Sequence, residues 1–375
     1  MTTRVIVALS GGVDSAVAAW LLARQGLTVE CLHMSNWDDD DGYCDAATDL
    51  NDARRVCDRL GLLLHRVDFA REYRETVFAD FLTETRAGRT PNPDVLCNRE
   101  IKFGLMARYA RRLGADRLAT GHYARLDEID GGPILLKARD RTKDQSYFLH
   151  AVGAADFARV LFPLGDLGKS EVRGLARRAG LAVAEKRDST GICFIGERPF
   201  AEFLGRYLAP DPGPIVTDGG RVVGEHRGLH FYTLGQRKGL RVGGIDSAGE
   251  APWYVAGKRH EANELVVVQG ENHPALMSDW LTAGPLHLIG PAPAEWLAHG
   301  SIRCHVKTRY RQSDQRCALI RAGDGASRVV FDQPQRAVTP GQYAVFYVGD
   351  RCLGGARIER TGRGGLEDLA TAEAG

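Results

Sequence analysis

Ser10-Gly11-Gly12-Val13-Asp14-Ser15 has the residue types needed to cradle a polyphosphate. The β-branched run Val5–Leu9 leads into it, and a helix former, Ser15–Gln25, follows at once. In the order strand, glycine turn, helix start, backbone N–H groups and the positive end of a helix dipole converge on one point. Gly11 and Gly12 put no Cβ in the way of close approach, and Ser10 and Ser15 add hydroxyl donors. Asp14 does not suit a pure anion site. It acts either through a Mg2+ that accompanies the phosphates or as a helix cap. The loop lacks the Lys of GxxxxGK(S/T) and the spacing of GxGxxG, so neither common nucleotide fingerprint applies.

Two of the eight cysteines keep unusual company. Cys97 follows Asn92-Pro93-Asp94 and is expected just before a helix over Asn98–Leu113, beside Arg99 and Lys102. A helix dipole and cations both favour the thiolate. Cys193 lies between Gly191 and Gly196, in a stretch flanked by Lys186, Arg187 and Arg198. Cys57 in a helical pattern, Cys31 in a strand, Cys44 in an acidic loop, and Cys304, Cys317 and Cys352 in a β region read as structural or incidental thiols. No CxxC pair occurs, which disfavours a structural zinc site or a disulfide framework, and no metal ligands are assigned.

The elements that must position these groups follow from the apolar pattern. Strands over Val5–Leu9, Val29–Met34, Leu62–Phe69 and Arg117–Thr120 alternate with helices over Ser15–Gln25, Asp45–Leu60, Arg71–Arg86 and Asn98–Leu113. Gly26, Gly61, Gly88 and Gly114 each fall just past a helix end. Such alternation predicts an α/β fold with a doubly wound parallel sheet and ligands at the carboxyl ends of its strands. The glycine loop, Met34 and Gly121-His122 all fall at such ends. Helices over Lys169–Ala179 and Phe200–Leu208 complete a first domain, 1–208. Beyond Ala209–Pro214 the texture is all-β, with strands at Glu264–Gln269, Ser301–Lys307, Arg328–Phe331 and Tyr343–Val348. Pro285–Pro293 is expected to divide a small β-rich module, 209–284, from a C-terminal β-barrel, 285–362, before a disordered tail, 363–375.

At 375 residues, 44% hydrophobic and 26% charged, the chain suits two or three globular domains. A net charge of +1 argues against indiscriminate nucleic-acid coating, though basic clusters occur at Arg86–Lys102, Lys137–Lys143, Arg237–Arg241 and Lys307–Arg311. No apolar run approaches a membrane span, and the first strand begins almost at Met1, so a cytoplasmic location is expected.

SGGVDS, NPDVLCNREIKFG (92–104), TGHYAR (120–125), KDQSYFL (143–149), STGICFIG (189–196) and YTLGQRKGL (232–240) resemble, in order and spacing, the bacterial tRNA-specific 2-thiouridylases of the PP-loop ATP pyrophosphatase superfamily. The likeness runs from about Val5 to about Ile358. It implies a first domain of the adenine nucleotide alpha hydrolase-like type. It also implies that ATP adenylates the C2 oxygen of the wobble uridine in tRNAs of the Lys, Glu and Gln type, with release of pyrophosphate and AMP. Cys193 would carry a persulfide sulfur to C2. Cys97 would resolve it, leaving a Cys97–Cys193 disulfide to be reduced. Asp94 would be the acid/base, although a Pro-Asp turn residue capping the next helix reads the same way.

The same likeness assigns Ala8, Leu9, Ser10, Gly11, Gly12, Val13, Asp14 and Ser15 to the phosphates. The backbone of Met34 would meet the adenine and Gly121 the ribose or phosphate side; the Met34 side chain alone reads equally as core. Asn92, Pro93, Asp94, His122, Lys143, Asp144, Gln145, Arg309, Tyr310 and Gln342 would contact tRNA, with Tyr310 suited to stacking on an unstacked base. ATP with Mg2+, tRNA, and a persulfide donor (a cysteine desulfurase or sulfur-relay protein) are the implied cofactors and partners; no DNA or membrane partner is expected. A PP-loop ligase or amidotransferase acting on a small metabolite would need neither cysteine. A non-catalytic RNA-binding protein would need no intact loop.

Overall fold

The computed structural model describes residues 2–37, 46–188, 200–242, 251–323 and 325–364. Strands β1 (Arg4–Ala8), β2 (Thr28–Ser35), β3 (Leu64–Asp68), β4 (Arg117–Ala119) and the short β7 (Val160–Leu161) form one parallel sheet in the order β3-β2-β1-β4-β7. The strand order reverses between β1 and β4, and the carboxyl edge at such a switch point is where open α/β sheets take their ligands. Alternation along β1 sends Val5 and Val7 into one apolar layer and Ile6 into the other. The first layer contains α1 (Val13–Ala23), α2 (Ala46–Leu60) and the helix Lys169–Arg178. The second contains helix 70–86 and helix 93–112.

Both of those helices contain a π-helical stretch, Arg74–Phe78 in the first and Cys97–Met106 in the second. The second begins earlier than expected. Asn92 is its N-cap and Pro93 its first residue, where a missing N–H costs nothing. Cys97 is therefore in the second turn and not ahead of the helix, which corrects its expected place in the full strength of the dipole. Likewise α1 begins at Val13, so Asp14 and Ser15 are in its first turn.

The β half has two sheets. One has the order β10-β11-β8-β9, from β8 (Gly213–Thr217), β9 (Val222–His226), β10 (Trp253–Arg259) and β11 (Glu264–Gln269). The other is nine-stranded, and six strands of it close into a barrel through the pairing of β12 (Met277–Ala283) with both β16 (Ser327–Arg336) and β18 (Arg351–Gly362). β14 (Ser301–Lys307), β15 (Gln315–Arg321) and β17 (Tyr343–Val348) complete the ring. β12, expected in the middle module, thus belongs with the barrel. The Pro-rich 285–293 stretch is a connection inside that unit and includes the short β13 (His287–Leu288), which pairs with β18.

A hairpin of β5 (Ala124–Ile129) and β6 (Gly132–Lys137) extends the barrel sheet: Leu135 and Leu136 of β6 pair with Cys352 and Arg351 of β18. Its turn, Asp130-Gly131, has φ of +51° and +74°, the positive values that a tight two-residue hairpin needs. This arm ties the barrel to the chain immediately after Gly121. Among the described residues no helix is long and apolar enough to cross a membrane.

Candidate active site at the carboxyl edge of the parallel sheet

The glycine loop leaves β1 at Ala8 and enters α1 through Gly12, the N-cap. Gly11 has φ +83°, and a Cβ there would stand 2.3 Å from the carbonyl oxygen of Asp49. The serine hydroxyls shape the loop. Ser10 N–H donates to Ser15 Oγ at 3.2 Å, and Ser15 Oγ donates to the Gly12 carbonyl at 3.1 Å. Gly121, just past β4, meets the same turn from the other side. A Cβ on it would be 2.6 Å from Ser15 N and 2.8 Å from the Asp14 carbonyl carbon. Met34 ends near this edge on β2, opposite Val67, with its side chain against the core.

A charged network surrounds the loop. Lys169 Nζ donates to both carboxylate oxygens of Asp14, at 2.7 and 2.8 Å, and Tyr123 Oη donates to one of them at 2.8 Å. Lys169 also pairs with Asp188 at 2.8 Å, and Lys143 and Arg173 reach the same carboxylate at 2.7 and 2.9 Å. On the other flank Lys186 donates to the Gly11 carbonyl at 3.2 Å and to Asp49 and Asp52 at 2.7 Å each. α1 has no side-chain cap, so the capping alternative for Asp14 fails.

The proton affinities follow these pairings. Burial raises the Asp188 carboxyl, but hydrogen bonds from Lys143 and Lys169 outweigh it and bring the group down to about 2. Burial and the Asp14 carboxylate push the Tyr123 phenol upward. For Lys186, burial opposes the charged form while Asp49 and Asp52 raise it. Sequence reasoning missed Tyr123, Lys169 and Asp188 as site residues. Tyr123 falls inside the TGHYAR string, but Lys169 stands 155 residues from Asp14, where no local pattern connects them.

Helix 93–112 runs back toward β4, so its N-terminal end projects past the carboxyl edge of the sheet. The Phe103 ring sits 5.8 Å from that of His122, level with the end of β4. Cys97, six residues earlier in the same π-helical stretch, stands further out along the axis. Its side chain is fully buried in the apolar layer. Asp94, one turn earlier, is half-buried, and its carbonyl accepts from Asn98 Nδ2 at 3.0 Å. Asn98 Nδ2 also reaches the Phe148 carbonyl at 3.3 Å, while the buried Asn98 Oδ1 has no partner. The Phe148 ring lies 4.4 Å from that of Tyr310 on the barrel. Asp94, Cys97, Phe148 and Tyr310 therefore share one neighbourhood. Cys193, in 189–199, lies outside the described residues.

The other expected tRNA contacts divide into two groups. Arg309 is exposed and Tyr310 half-buried, with the Arg311 guanidinium 5.6 Å from the Tyr310 ring centroid. His122 shares a hydrogen bond with Thr120 Oγ1 at 2.7 Å; burial, aided by Lys102, holds its imidazole well below the usual range. Asp144 and Gln145 have internal duties instead. Buried Asp144 accepts from Ala138 N–H and Ser146 Oγ, and Gln145 Oε1 accepts from Tyr123 N–H. Lys143 belongs to the Asp188 network, and Gln342 Nε2 donates to the Thr90 carbonyl at 2.8 Å.

Three family models match in sequence: the tRNA methyl transferase HUP domain at residues 3–197, the tRNA methyl transferase PRC-barrel domain at 201–269, and the aminomethyltransferase beta-barrel domain at 278–358. Curated relatives named tRNA-specific 2-thiouridylase MnmA are similar along their length. The one from Pseudomonas paraeruginosa is 56% identical over 95% of this chain and 94% of its own. Those from Sodalis glossinidius and Shigella flexneri are 56% and 55% identical, each over 95% of this chain and over 96% and 97% of theirs. At that identity and coverage, this chain belongs to the tRNA-specific 2-thiouridylase family.

Proposed function

We propose that the chain activates a wobble uridine of tRNA at the glycine loop and delivers sulfur to its C2 through Cys193 and Cys97. The chain is a sulfurtransferase that thiolates a tRNA uridine at the expense of ATP. The observation that carries the finer reading is convergence. The glycine loop, Gly121 and the helix bearing Asp94 and Cys97 all open from the carboxyl edge of one sheet.

ATP would lie with its phosphates over Ser10–Ser15, its adenine along the Met34 backbone and its ribose beside Gly121. Lys143, Lys169 and Lys186, which now neutralise Asp14, Asp49, Asp52 and Asp188, would turn toward the phosphates and keep the loop balanced. Among the described residues no cluster of three or more His, Cys, Asp or Glu holds a metal unaided. A Mg2+ arriving with ATP takes most of its ligands from phosphate and water, so the single carboxylate of Asp14 fits it. When bound, that ion would neutralise charge on the phosphates.

The C2 oxygen attacks the α-phosphorus and pyrophosphate leaves. The terminal sulfur of a Cys193 persulfide then attacks C2. The Cys97 thiolate takes the remaining Cys193 sulfur, breaking the S–S bond as AMP departs with the C2 oxygen. The products are a C2 thiocarbonyl and a Cys97–Cys193 disulfide, which an external thiol reduces. Asp94 moves the proton. The buried state of Cys97 requires its surroundings to open once tRNA is seated. Tyr310 and Phe148 offer aromatic faces to a uracil splayed out of the anticodon loop. A persulfide-bearing desulfurase or relay protein would load Cys193.

Nucleoside analysis of tRNA from cells lacking the native chain tests this reading. Wobble 2-thiouridine should be absent, and neither Cys97→Ser nor Cys193→Ser should restore it, while Cys193→Ser still releases pyrophosphate from ATP in the presence of tRNA. Full restoration by either variant would overturn the proposed sulfur route.

A further inference from the structure

We propose that Lys258 of the middle β module is a positioning residue for Asp94, acting through the turn at Gly88. The inference rests on the proton role given to Asp94 above.

Residues 88–92 link helix 70–86 to helix 93–112, and both β modules grip them. From the middle module, Lys258 Nζ donates to the Gly88 carbonyl at 3.0 Å. No carboxylate pairs with that ammonium among the described residues, and burial lowers its pKa to about 8. A half-buried cation drawn to a single backbone carbonyl gives up part of its hydration for that one contact. The His260 ring closes on the same turn. Gly88 has φ +75°, and a Cβ there would fall 1.8 Å from the His260 ring.

The barrel grips from the opposite side. Thr90 N–H donates to the Pro340 carbonyl at 2.9 Å, and the Thr90 carbonyl accepts from Gln342 at 2.8 Å. Gly341, at φ +92°, allows this approach: its Cβ would be 2.8 Å from Thr90 N and 2.9 Å from Arg89 Cβ. Between them Arg89 holds Glu84 through two bonds of 2.6 Å, and Arg357 of β18 reaches Glu84 and Asp80.

Gly88 and Thr90 are thus bonded from the two β modules, and Arg89 between them is bonded to helix 70–86. Only Pro91 and Asn92 separate them from the helix, and Pro91 and Pro93 restrict the backbone on either side of Asn92. Such a strut transmits its anchorage to Asp94 with little slack. Misplacement of a catalytic group by about 1 Å can cost up to about a hundredfold in rate.

The test is a double-mutant cycle in the full chain with saturating tRNA and a persulfide donor. Lys258→Met should lower kcat for thiolation about tenfold with KM for ATP changed by less than about twofold, and Lys258→Arg should recover most of it. In an Asp94→Asn background, Lys258→Met should cost less than about twofold further. Gly341→Ala, which disturbs the strut from the barrel side, should show the same split. Parental kcat in Lys258→Met, a full additive loss beside Asp94→Asn, or parallel loss of ATP binding would overturn the inference. An unchanged rate for Asp94→Asn alone would instead overturn the proton role on which it rests.

Discussion

The proposed nucleotide end and the proposed sulfur end of this site are built from opposite materials. Around Asp14 stand Lys169, Tyr123, Asp188, Lys143 and Arg173, joined by contacts of 2.7 to 2.9 Å. Around Cys97 the layer is apolar, with Val95, Ile101 and Tyr147 in the same cluster. Ion pairs can exchange partners without moving the backbone, so a charged loop can accept and release a polyphosphate in place. A buried thiol has no such freedom, and its chemistry waits on a change of packing. On the proposed function, adenylation would run in a rigid loop and sulfur transfer would need motion.

The sharpest way to break that comparison is Gly121→Val at the rigid end. The new side chain would have to displace the Ser15 amide, which is backbone and cannot rotate aside. Pyrophosphate release from ATP should fall at least about a hundredfold, in keeping with a misplaced phosphate cradle. Near-parental pyrophosphate release would show that this end tolerates displacement after all.

That glycine also marks how far the sequence could be read. The first four strands of the parallel sheet fall within a residue or two of their expected bounds, most clearly β1, whose central Val5-Ile6-Val7 is a buried apolar run; β3, LHRVD, has no fully buried residue. Gly26, Gly61, Gly88 and Gly114 stop their helices at φ between +65° and +88°, as their places past helix ends imply. Other signals were present in the sequence and were not read. Asp130-Gly131 is a hairpin turn, and Asn92-Pro93 is a cap followed by a first-turn proline. The ion pairs of Asp14 were not legible at all. A lysine on a helix is ordinarily a solvated charge, and only the folded sheet brings Lys169 beside the loop. Tertiary packing likewise decided that β12 closes the barrel.

A smaller effect is expected at Asp188, where the charged network meets solvent. Its folded pKa of about 2 lies below the ordinary aspartate value, so the pairing stabilises the chain above about pH 4 and is lost as pH falls through about 2. With its side chain 30% exposed, the contribution is about 1 kcal/mol after allowance for solvent screening. Asp188→Asn should lower Tm at neutral pH by a few degrees and flatten this part of the acid limb, as followed by thermal melts across pH. An unchanged acid limb would remove Asp188 from the network that balances the loop.

The smallest effect separates thiols by surroundings and not by proximity. Cys304 and Cys317 face each other on β14 and β15 with sulfurs 3.7 Å apart. Yet both are buried in the barrel core, and the hydrogen bond to Cys304, with burial, pushes the Cys317 thiol upward. A thiol held protonated is a poor nucleophile, and here it serves as a small apolar side chain. Cys317→Ala should therefore leave thiolation within about twofold while costing about 1 kcal/mol of stability for the trimmed sulfur. Chemical denaturation and a thiolation assay on the same preparation read both quantities. Loss of thiolation without loss of stability would mean that the barrel contributes sulfur chemistry, and the contrast between a charged loop and the one buried thiol proposed to work, Cys97, would have to be redrawn around a second pair.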